Sequence, residues 1–404
     1  MPNLIIGQSG GPTAVINSSL AGAFCAAKEL GVEKIYGMKH GIKGFLRGDN
    51  VVLNEILDTE EKVELLKRTP ASFLGSCRYK LPEISDDSEI YMQIFSRLQS
   101  MDVKYFLYVG GNDSMDTIKK LSDYAKLVNS DICFMGVPKT IDNDLALTDH
   151  SPGFGSCAKY IATAVRELVC DCRVYDVEAV TILEIMGRNA GWLTASAALA
   201  RSEDCEGADL IYLPETVFDI DDFLKKVKDL AAKKHSVVVA ISEGIKVADG
   251  RFVCELGDEN AAVDAFGHKM MSGSGKYLEN RIKQELKGIK CRSIELSTLQ
   301  RCASHFASLT DINEAFLVGS EAVKAALNGE TGKVVILKRE SDSPYRCTTE
   351  NMDVHGIANV EKTVPLKWIT DGYVTEEAVN YIRPLIQGEL TQFIENGVPK
   401  LIRL

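Results

Sequence analysis

Short apolar runs alternate with longer amphipathic stretches along most of the chain, and this alternation constrains the fold more than any other feature. The runs are rich in Val, Ile and Leu without a clean period of two, which is typical of parallel strands covered by helices on both faces. The predicted strands are residues 4–6, 105–109, 132–137, 180–185, 210–213, 237–241, 293–296 and 334–337. The predicted helices are residues 15–30, 114–128, 157–169, 190–200, 220–233, 276–286 and 312–327. The pattern predicts an α/β protein with doubly wound, Rossmann-like, three-layer domains and mostly parallel sheets.

The length of the chain predicts two such domains. At roughly 150 residues per domain, 404 residues correspond to two domains with an added element. A Gly/Ser-containing stretch at residues 149–155 is the candidate boundary. We therefore predict one α/β domain over residues 1–155, completed by part of residues 302–404, and a second over residues 156–301. The less regular residues 338–404 are predicted to form a C-terminal extension packed on the core.

Composition excludes several classes of partner. The net charge is -11, from 46 basic and 57 acidic side chains, so the field of the protein repels nucleic acid and anionic membranes. No signal peptide is visible and no run of about 18 apolar residues occurs, which predicts a cytoplasmic protein without a membrane partner. The 11 cysteines are scattered in apolar contexts, as expected for reduced thiols.

Ligands of doubly wound sheets bind where strands lead into helices, and the first such loop here is glycine-rich. In residues 7–13 the glycines let the backbone approach a phosphate, and the following helix offers free N–H groups. The pattern G-x-x-G-G differs from the dinucleotide fingerprint G-x-G-x-x-G, and a Walker loop is absent, so NAD is disfavoured. An ordinary strand-to-helix turn stays open as the alternative.

Two further loops combine groups suited to phosphoryl transfer. Residues 110–117 bring glycines, an amide, carboxylates and hydroxyls to the end of one strand, which favours a magnesium-phosphate site because Mg²⁺ prefers oxygen ligands. Residues 138–144 carry a lysine, a threonine and two carboxylates. A carboxylate there can take a proton from an attacking hydroxyl, while the lysine neutralises charge on the transferring group. A solvated polar loop is the competing interpretation.

Polar groups also follow predicted strands in the second half of the chain. Residues 186–191 and 242–244 each follow a strand, and Arg292 and Arg301 flank another. Arginines at strand ends suit bidentate binding of phosphate. Each could equally be a solvated surface charge, so these residues alone leave the ligand open.

Taken in this order, the loops resemble the phosphofructokinase family. The resemblance covers residues 4–304, and its most specific segments are Gly-Gly-Asn-Asp-Ser, Pro-Lys-Thr-Ile-Asp-Asn-Asp and Ile-Met-Gly-Arg-Asn-Ala-Gly-Trp. It implies transfer of a phosphoryl group to the 1-hydroxyl of fructose 6-phosphate, with Mg²⁺, in glycolysis or gluconeogenesis. It also implies that the first domain binds the phosphoryl donor and the second binds fructose 6-phosphate.

The resemblance assigns roles to individual residues. Asp142 resembles the general base, and Lys139 and Asp113 complete the catalytic set. The residues that resemble donor contacts are Gly11, Arg78 and Gly111, and those that resemble metal ligands are Asn112 and Asp144. The residues that resemble substrate contacts are Thr140, Ile141, Asp142, Met186, Gly187, Arg188, Glu243, Arg292, Thr298 and Arg301. The family supplies the residue that Arg292 resembles across a subunit interface, which implies a homodimer or homotetramer.

Two positions bear on the identity of the donor. Members that use ATP typically have glycine where this chain has Asp113 and Lys139. A carboxylate at position 113 would repel the α-phosphate of a nucleotide, and Lys139 can stabilise the phosphate that leaves from pyrophosphate. Both residues resemble the pyrophosphate-dependent branch, so pyrophosphate is the predicted donor and the reaction is predicted to be readily reversible.

Two departures from the family keep alternatives open. Asn112 stands where the family has a metal-binding aspartate, so either the metal site weakens or Asp113, Asp116 and the substrate phosphates compensate. Thr298 stands where the family often has His or Tyr. The alternatives are a kinase that uses ATP or prefers sedoheptulose 7-phosphate, and a non-catalytic, sugar-phosphate-binding regulatory subunit. The presence of Asp142 and Lys139 argues against the regulatory subunit.

Overall fold

The structure is a computed structural model that describes residues 1–174, 176–257 and 273–404. The strands are β1 Asn3–Gln8, β2 Ile35–Met38, β3 Asn50–Val52, β4 Val103–Gly110, β5 Cys133–Pro138, β6 Ala179–Ile185, β7 Leu210–Tyr212, β8 Ser236–Ser242, β9 Lys290–Glu295, β10 Lys333–Asp342, β11 Tyr345–Asp353, β12 Ile369–Thr370, β13 Tyr373–Val374, β14 Ile394–Glu395 and β15 Val398–Pro399. The α-helices are α1 Ile16–Glu29, α2 Gly41–Arg47, α3 Leu53–Ile56, α4 Glu60–Arg68, α5 Ser88–Ser100, α6 Asn112–Leu127, α7 Phe154–Cys172, α8 Trp192–Ala195, α9 Ile220–Ala231, α10 Ser274–Glu285, α11 Leu299–Cys302, α12 Leu309–Leu327 and α13 Glu376–Ile382. Within these residues, no helix combines the length and apolar character needed to span a membrane.

The chain divides into two compact units. Unit 1 consists of Met1–Ser156, Arg301–Glu361 and Gln387–Leu404, and unit 2 consists of Cys157–Gln300 and Lys362–Ile386. Residues 338–404, which the sequence predicts to be one added element, supply parts of both units. Strand β11 belongs to the large sheet of unit 1, whereas β12 and β13 form a small antiparallel pair in unit 2.

Unit 1 is built on a seven-stranded sheet with the order β11-β10-β5-β4-β1-β2-β3. Its central strands are parallel, and the pairs β2–β3 and β10–β11 are antiparallel. Side chains alternate between two cores, one on each face: Leu4, Ile6 and Leu107 enter one, and Ile5 and Phe106 enter the other. This arrangement confirms the predicted mostly parallel sheet covered on both faces.

Helix α12 packs on unit 1 and begins at a side-chain cap. The hydroxyl of Ser308 accepts the N–H of Asp311, which satisfies one of the free donors at the helix start. Along its first turns, the side chains of Asp311 and Glu314 are buried although both are acidic. A buried carboxylate is costly unless it is paired or hydrogen-bonded, so both must have partners.

Unit 2 carries a parallel sheet with the order β7-β8-β6-β9. Its core contains Val180 and Ile182 of β6 and Val237 and Val239 of β8, packed against side chains of α9 and α10. The α-helix predicted over residues 190–200 is wrong for its second half. There, α8 is followed by a 3-10 helix at Ser196–Ala200.

The outer strands β2, β3 and β11 of the large sheet were not predicted from the sequence. Strand β11 alternates half-buried and exposed positions, so it lacks the apolar run that marked the central strands. Strand β9 begins at Lys290, earlier than predicted, because its first residues lie at a sheet edge and are polar.

Candidate active site

Three of the predicted loops of unit 1 meet at one edge of the sheet. Strand β4 lies between β1 and β5, with Gln8 paired to Val109 and Gly110 paired to Pro138. The carboxyl ends of these parallel strands are therefore level with one another. This register brings residues 9–13, 111–113 and 139–144 together, as expected for a ligand site in a doubly wound sheet.

Two cationic side chains approach the glycine-rich loop after β1. A Cβ atom on Gly10 would lie 3.5 Å from Nζ of Lys139, and one on Gly11 would lie 3.2 Å from Nη1 of Arg301. The ammonium of Lys139 donates a hydrogen bond of 2.6 Å to the carbonyl oxygen of Gly11. The absence of side chains at Gly10 and Gly11 lets the two cations approach the backbone closely, which concentrates positive charge beside a loop suited to an anion.

Lys139 is buried, with 2% of its surface exposed. Burial above all, opposed by the carboxylates of Asp142 and Asp144 and aided by the charge of Arg301, lowers the pKa of its ammonium to about 8. Desolvation disfavours the charged form of an amine, and a neighbouring carboxylate favours it. The lysine therefore keeps its charge at neutral pH and loses it in mild alkali.

The loop that follows β5 is held in a fixed shape around Asp142. The hydroxyl oxygen of Thr140 accepts the backbone N–H of Asp142 at 3.1 Å and lies 3.5 Å from Oδ2 of the same residue. The side chain of Ile141 is buried and packs in the protein interior. Only the backbone of Ile141 could therefore make its predicted contact with the substrate. Asp142 itself is half-buried and lies among the charges that act on Lys139.

Asn112 and Asp144 lie side by side, as the metal assignment requires. The amide Nδ2 of Asn112 donates to Oδ2 of Asp144 at 3.4 Å. Among the described residues, Oδ1 of Asn112 is buried and accepts no hydrogen bond. Burial, and then the carboxylate of Asp142, raise the pKa of Asp144 to about 7. An unused amide oxygen beside a carboxylate fits a hard divalent cation such as Mg²⁺, which would also stabilise the ionised form of Asp144.

Asp116 does not compensate for the missing charge at Asn112. Its side chain is buried, with Oδ2 in an ion pair of 2.8 Å with Lys120 and Oδ1 accepting the amide of Asn359 at 2.9 Å. Both oxygens are therefore committed to structural partners. Asp113 is exposed in the first turn of α6, next to Gly111, which precedes the helix.

The segment that carries Arg78 is fastened to the glycine-rich loop. The hydroxyl of Ser76 donates to the carbonyl of Gly10 at 2.7 Å, and the N–H of Gly10 donates to the carbonyl of Cys77 at 3.3 Å. Arg78 follows directly and is exposed. Its position next to Gly10 suits the predicted contact with a donor phosphate.

Sequence analysis missed two buried amides that hold this segment. Gln8 and Asn17 are fully buried and bonded to each other at 2.9 Å. Gln8 accepts the N–H of Leu74, while Asn17 accepts that of Phe73 and donates to the carbonyl of Thr69. Polar residues at the end of an apolar strand and in the first turn of a helix are the only sequence signal for such a role.

The predicted sugar-phosphate residues of unit 2 fall into two groups. Met186, Gly187 and Arg188 follow β6, and the N–H of Gly187 donates to Oε1 of Glu243, which follows β8, at 3.3 Å. The hydroxyl of Ser242 donates to the carbonyl of Gly187 at 2.5 Å. The ends of these two neighbouring strands therefore lie next to each other. Thr298 is exposed in the turn after β9.

Arg292 lies apart from that surface. It pairs in register with Thr181, near the start of β6, and at about 3.3 Å per residue this is about 13 Å from the strand's carboxyl end. Its guanidinium donates to Asp171 at 2.7 Å and to Thr181 at 3.2 Å. Within one chain, Arg292 therefore does not join Arg188 and Glu243, because a residue in mid-strand cannot reach the strand end.

Comparison with known proteins shows the family of the chain. A model of the family Phosphofructokinase matches residues 3–326. A protein of Xanthomonas campestris pv. campestris named pyrophosphate–fructose 6-phosphate 1-phosphotransferase is 42% identical over 411 residues, covering 100% of this chain and 96% of the relative. A protein of the same name from Halomonas elongata is 39% identical over 408 residues, again covering 100% and 96%.

Solved structures show the same fold. The crystal structure of pyrophosphate-dependent phosphofructokinase from Nitrosospira multiformis matches with a TM-score of 0.89 at 34% identity, covering 100% of this chain and 96% of that one. Sequence similarity and the tertiary structure thus both extend over the whole length of the chain. The chain belongs to the phosphofructokinase family.

Proposed function

We propose that this protein is a pyrophosphate-dependent 6-phosphofructokinase. It transfers a phosphoryl group reversibly between pyrophosphate and the 1-hydroxyl of fructose 6-phosphate, giving fructose 1,6-bisphosphate and phosphate. The observation that carries the proposal is the contact of Lys139 with the glycine-rich loop, at 2.6 Å from the carbonyl of Gly11. The names of the relatives from Xanthomonas and Halomonas support the same activity.

The position of Lys139 explains the choice of donor. Its ammonium lies next to Gly10 and Gly11. In this loop, the backbone N–H groups that precede α1 would bind the terminal phosphate of a donor. When pyrophosphate is the donor, the leaving group is a single phosphate whose negative charge is concentrated next to Lys139. When a nucleotide is the donor, the leaving group is a diphosphate that distributes its charge over two phosphates. A fixed cation at this position therefore stabilises the leaving group of pyrophosphate more. The exposed carboxylate of Asp113 at the start of α6 would meet the additional phosphate of a nucleotide.

Asp142 performs the proton transfer. Its carboxylate takes the proton of the 1-hydroxyl while that oxygen forms a bond to one phosphorus atom of pyrophosphate. The bond from this phosphorus to the bridging oxygen breaks, and the bridging oxygen leaves with the second phosphate. Lys139 balances the negative charge on the donor side. Arg301, which the sequence predicted to contact the sugar phosphate, lies beside Gly11 and adds to this positive charge, and Thr140 keeps Asp142 in place through its hydroxyl.

Asn112 and Asp144 would hold Mg²⁺, which when bound neutralises charge on the donor's phosphate oxygens. The unused Oδ1 of Asn112 and the adjacent carboxylate are the donor atoms for it. In reverse, the same residues bind fructose 1,6-bisphosphate and phosphate. Neither direction requires a nucleotide, which supports a readily reversible reaction.

The sugar phosphate binds at the strand ends of unit 2, where Met186, Gly187, Arg188 and Glu243 provide polar contacts. Arg292 faces away from these residues and is half-exposed. It would therefore complete the site of a second copy, so the active enzyme is a homodimer or a larger homo-oligomer. Its substrates are metabolites of glycolysis and gluconeogenesis, which assigns the enzyme to the cytoplasm.

The proposal is tested by initial rates with pyrophosphate and ATP side by side, using fructose 6-phosphate and sedoheptulose 7-phosphate as acceptors. We expect turnover with pyrophosphate and fructose 6-phosphate, and little or none with ATP. Turnover with ATP alone would overturn the donor assignment. Absence of turnover with either donor, at saturating Mg²⁺ and acceptor, would favour the regulatory subunit instead.

A further inference from the structure

Behind the catalytic loop lies a layer of contacts to which the reaction assigns no role. We call residues 150–153 the backing segment, because they run alongside the loop that contains the general base. The N–H of Thr140 donates to the carbonyl of Pro152 at 3.2 Å, and the N–H of Ser151 donates to Oδ1 of Asn143 at 2.9 Å. The backing segment thus fixes the backbone on both sides of the general base.

Helix α12 fastens one end of the backing segment. The two carboxylate oxygens of Asp311 accept the N–H groups of Gly153 and Ser156, each at 2.8 Å. A Cβ atom on Gly153 would lie 2.7 Å from a methyl of Thr13 and 3.2 Å from the carbonyl of Thr140. The backing segment therefore packs between the glycine-rich loop, residues 7–13, and the catalytic loop, residues 138–144. Its position restricts the conformations of both loops.

The other end is held by His150, whose ring is buried with 1% exposed. Its Nδ1 lies 2.8 Å from Oδ1 of Asp149, and its Nε2 lies 2.6 Å from Oε2 of Glu314 on α12. Burial alone would lower the pKa of His150, but the two carboxylates outweigh it and raise the pKa to about 9. Both ring nitrogens therefore donate, and the ring links the backing segment to α12.

The β10–β11 hairpin orients both of these carboxylates. The hydroxyl of Tyr345 donates to Oε1 of Glu314 at 2.6 Å, and Arg339 pairs with Asp149 at 3.0 Å. The guanidinium also lies 5.4 Å from the centre of the Tyr345 ring. The family match ends at residue 326, so the hairpin lies beyond the part of the chain that the family model describes.

The same cluster could be taken for a metal site, because ligand atoms of His150, Glu314 and Cys347 lie within 4.8 Å of one another. The short contact between Nε2 of His150 and Glu314 is a hydrogen bond that uses the ring nitrogen a metal would need. Burial, reinforced by Glu314, raises the pKa of the Cys347 thiol to about 12, so no thiolate is available at neutral pH. The geometry favours a hydrogen-bonded ion cluster.

We propose that the β10–β11 hairpin positions the catalytic loop through Tyr345, Glu314 and His150, which act as positioning residues for Asp142. The proposal rests on the proposed function only in naming Asp142 as the base. Loosening His150 lets the backing segment shift, and a displacement of about 1 Å at a reacting group costs up to about 100-fold in rate. Because these residues do not touch the substrates, binding of either substrate should change little.

The test compares His150→Gln and Tyr345→Phe with a matched control, Tyr91→Phe. This control also removes a tyrosine hydroxyl of unit 1 that donates a hydrogen bond of 2.6 Å, in this case to the carbonyl of Pro82. We expect kcat to fall about tenfold in His150→Gln and several-fold in Tyr345→Phe, with the KM of both substrates within about twofold. Tyr91→Phe should lower only the melting temperature. Equal kcat in all three variants would overturn the proposal.

A double variant separates positioning from general damage. On an Asp142→Ser background, His150→Gln should cause no further loss of kcat, because there is no base left to position. If kcat of the double variant instead falls by the product of the two single-variant losses, His150 acts on something other than Asp142, and the proposal is overturned.

Amide hydrogen exchange gives a measurement that needs no turnover. In peptides spanning residues 139–153, His150→Gln should speed exchange at least about fivefold relative to Tyr91→Phe. Unchanged exchange would overturn the positioning proposal even in an active enzyme. Faster exchange in a protein that does not use pyrophosphate would uphold it while the proposed donor fails.

Discussion

The strand ends of the two units carry different kinds of polar groups. In unit 1, Lys139, Asp142 and Asp144 are crowded into a buried loop, and the pKa values of Lys139 and Asp144 move toward neutrality. In unit 2, the corresponding surface consists of backbone groups and of Arg188 and Glu243 at the ends of β6 and β8. Titrating groups with shifted pKa values suit proton and charge transfer, whereas backbone groups and an arginine at strand ends suit recognition of a phosphate ester. Variants in unit 1 should therefore change kcat or its pH dependence, and variants in unit 2 should change KM.

The largest effect is expected at Asp142. Asp142→Ser removes the proposed general base, and kcat should fall about 10²- to 10⁴-fold while the affinity for fructose 6-phosphate stays within a few-fold. Steady-state rates and calorimetric titration with the sugar phosphate measure the two quantities. Asp131→Ser, which removes an exposed carboxylate paired with Lys104, is the matched control and should leave both unchanged. Near wild-type activity in Asp142→Ser would place the base elsewhere and remove the contrast between the units.

Arg188 tests the other half of the comparison. Arg188→Met should raise the KM for fructose 6-phosphate about 10- to 100-fold, because a hydrogen bond to a charged group contributes about 1.5–3 kcal/mol, and kcat should change little. Arg281→Met is the control, since Arg281 pairs with Glu285 on the surface of α10. A loss confined to kcat would show that unit 2 also contributes to the chemical step.

Lys139 should set the alkaline limit of the reaction. Since its pKa is lowered to about 8, kcat/KM for pyrophosphate should decrease about tenfold per pH unit above that value as the ammonium loses its proton. Lys139→Arg keeps its charge throughout this range. Dividing the kcat/KM of the wild type by that of Lys139→Arg at each pH cancels the titration of pyrophosphate itself. This ratio should fall as the pH rises through 8. Parallel profiles would contradict a catalytic charge at Lys139.

The smallest expected effect concerns stability rather than rate. His150 has a folded-state pKa of about 9 against an ordinary value of 6.5, so its ion pairs stabilise the fold fully below pH 6.5 and lose this effect as pH rises through 9. At about 1.36 kcal/mol per pKa unit, the difference is on the order of 3 kcal/mol. Thermal unfolding of wild type and His150→Gln should therefore differ most at acidic pH and converge near pH 9. A constant difference would mean that packing, not charge, explains the role of the ring.

Much of the fold followed from local patterns. The buried strands β1, β4, β5, β6 and β8 were predicted because both of their faces enter cores, which leaves a continuous apolar run. The outer strands β2, β3 and β11 were not predicted, because β2 and β3 are very short and β11 has one exposed face. The type of helix after residue 195 also depended on packing rather than on composition.

The candidate site divides in the same way. Positions directly after central strands were predicted because parallel strands bring their carboxyl ends to one edge, and this holds for Lys139, Asp142 and Asp144. The separation of Arg292 from Arg188 was not visible, since a residue's place within a strand depends on where the strand begins. The commitment of Asp116 to Lys120 and Asn359 was equally hidden, because Asn359 is 243 residues away along the chain.

The sequence by itself determined the fold class, the order of the polar loops and the family, and it pointed to the two residues proposed to distinguish the donor, because each of these depends on residue types and short spacings. Only the tertiary structure decided which charges are buried together and what holds them. Lys139 acquires its lowered pKa from burial and from Arg301, and the loop around Asp142 is held by Asp311 and Glu314 from α12. These contacts join residues more than 150 positions apart, and desolvation and hydrogen bonding act through space rather than along the chain.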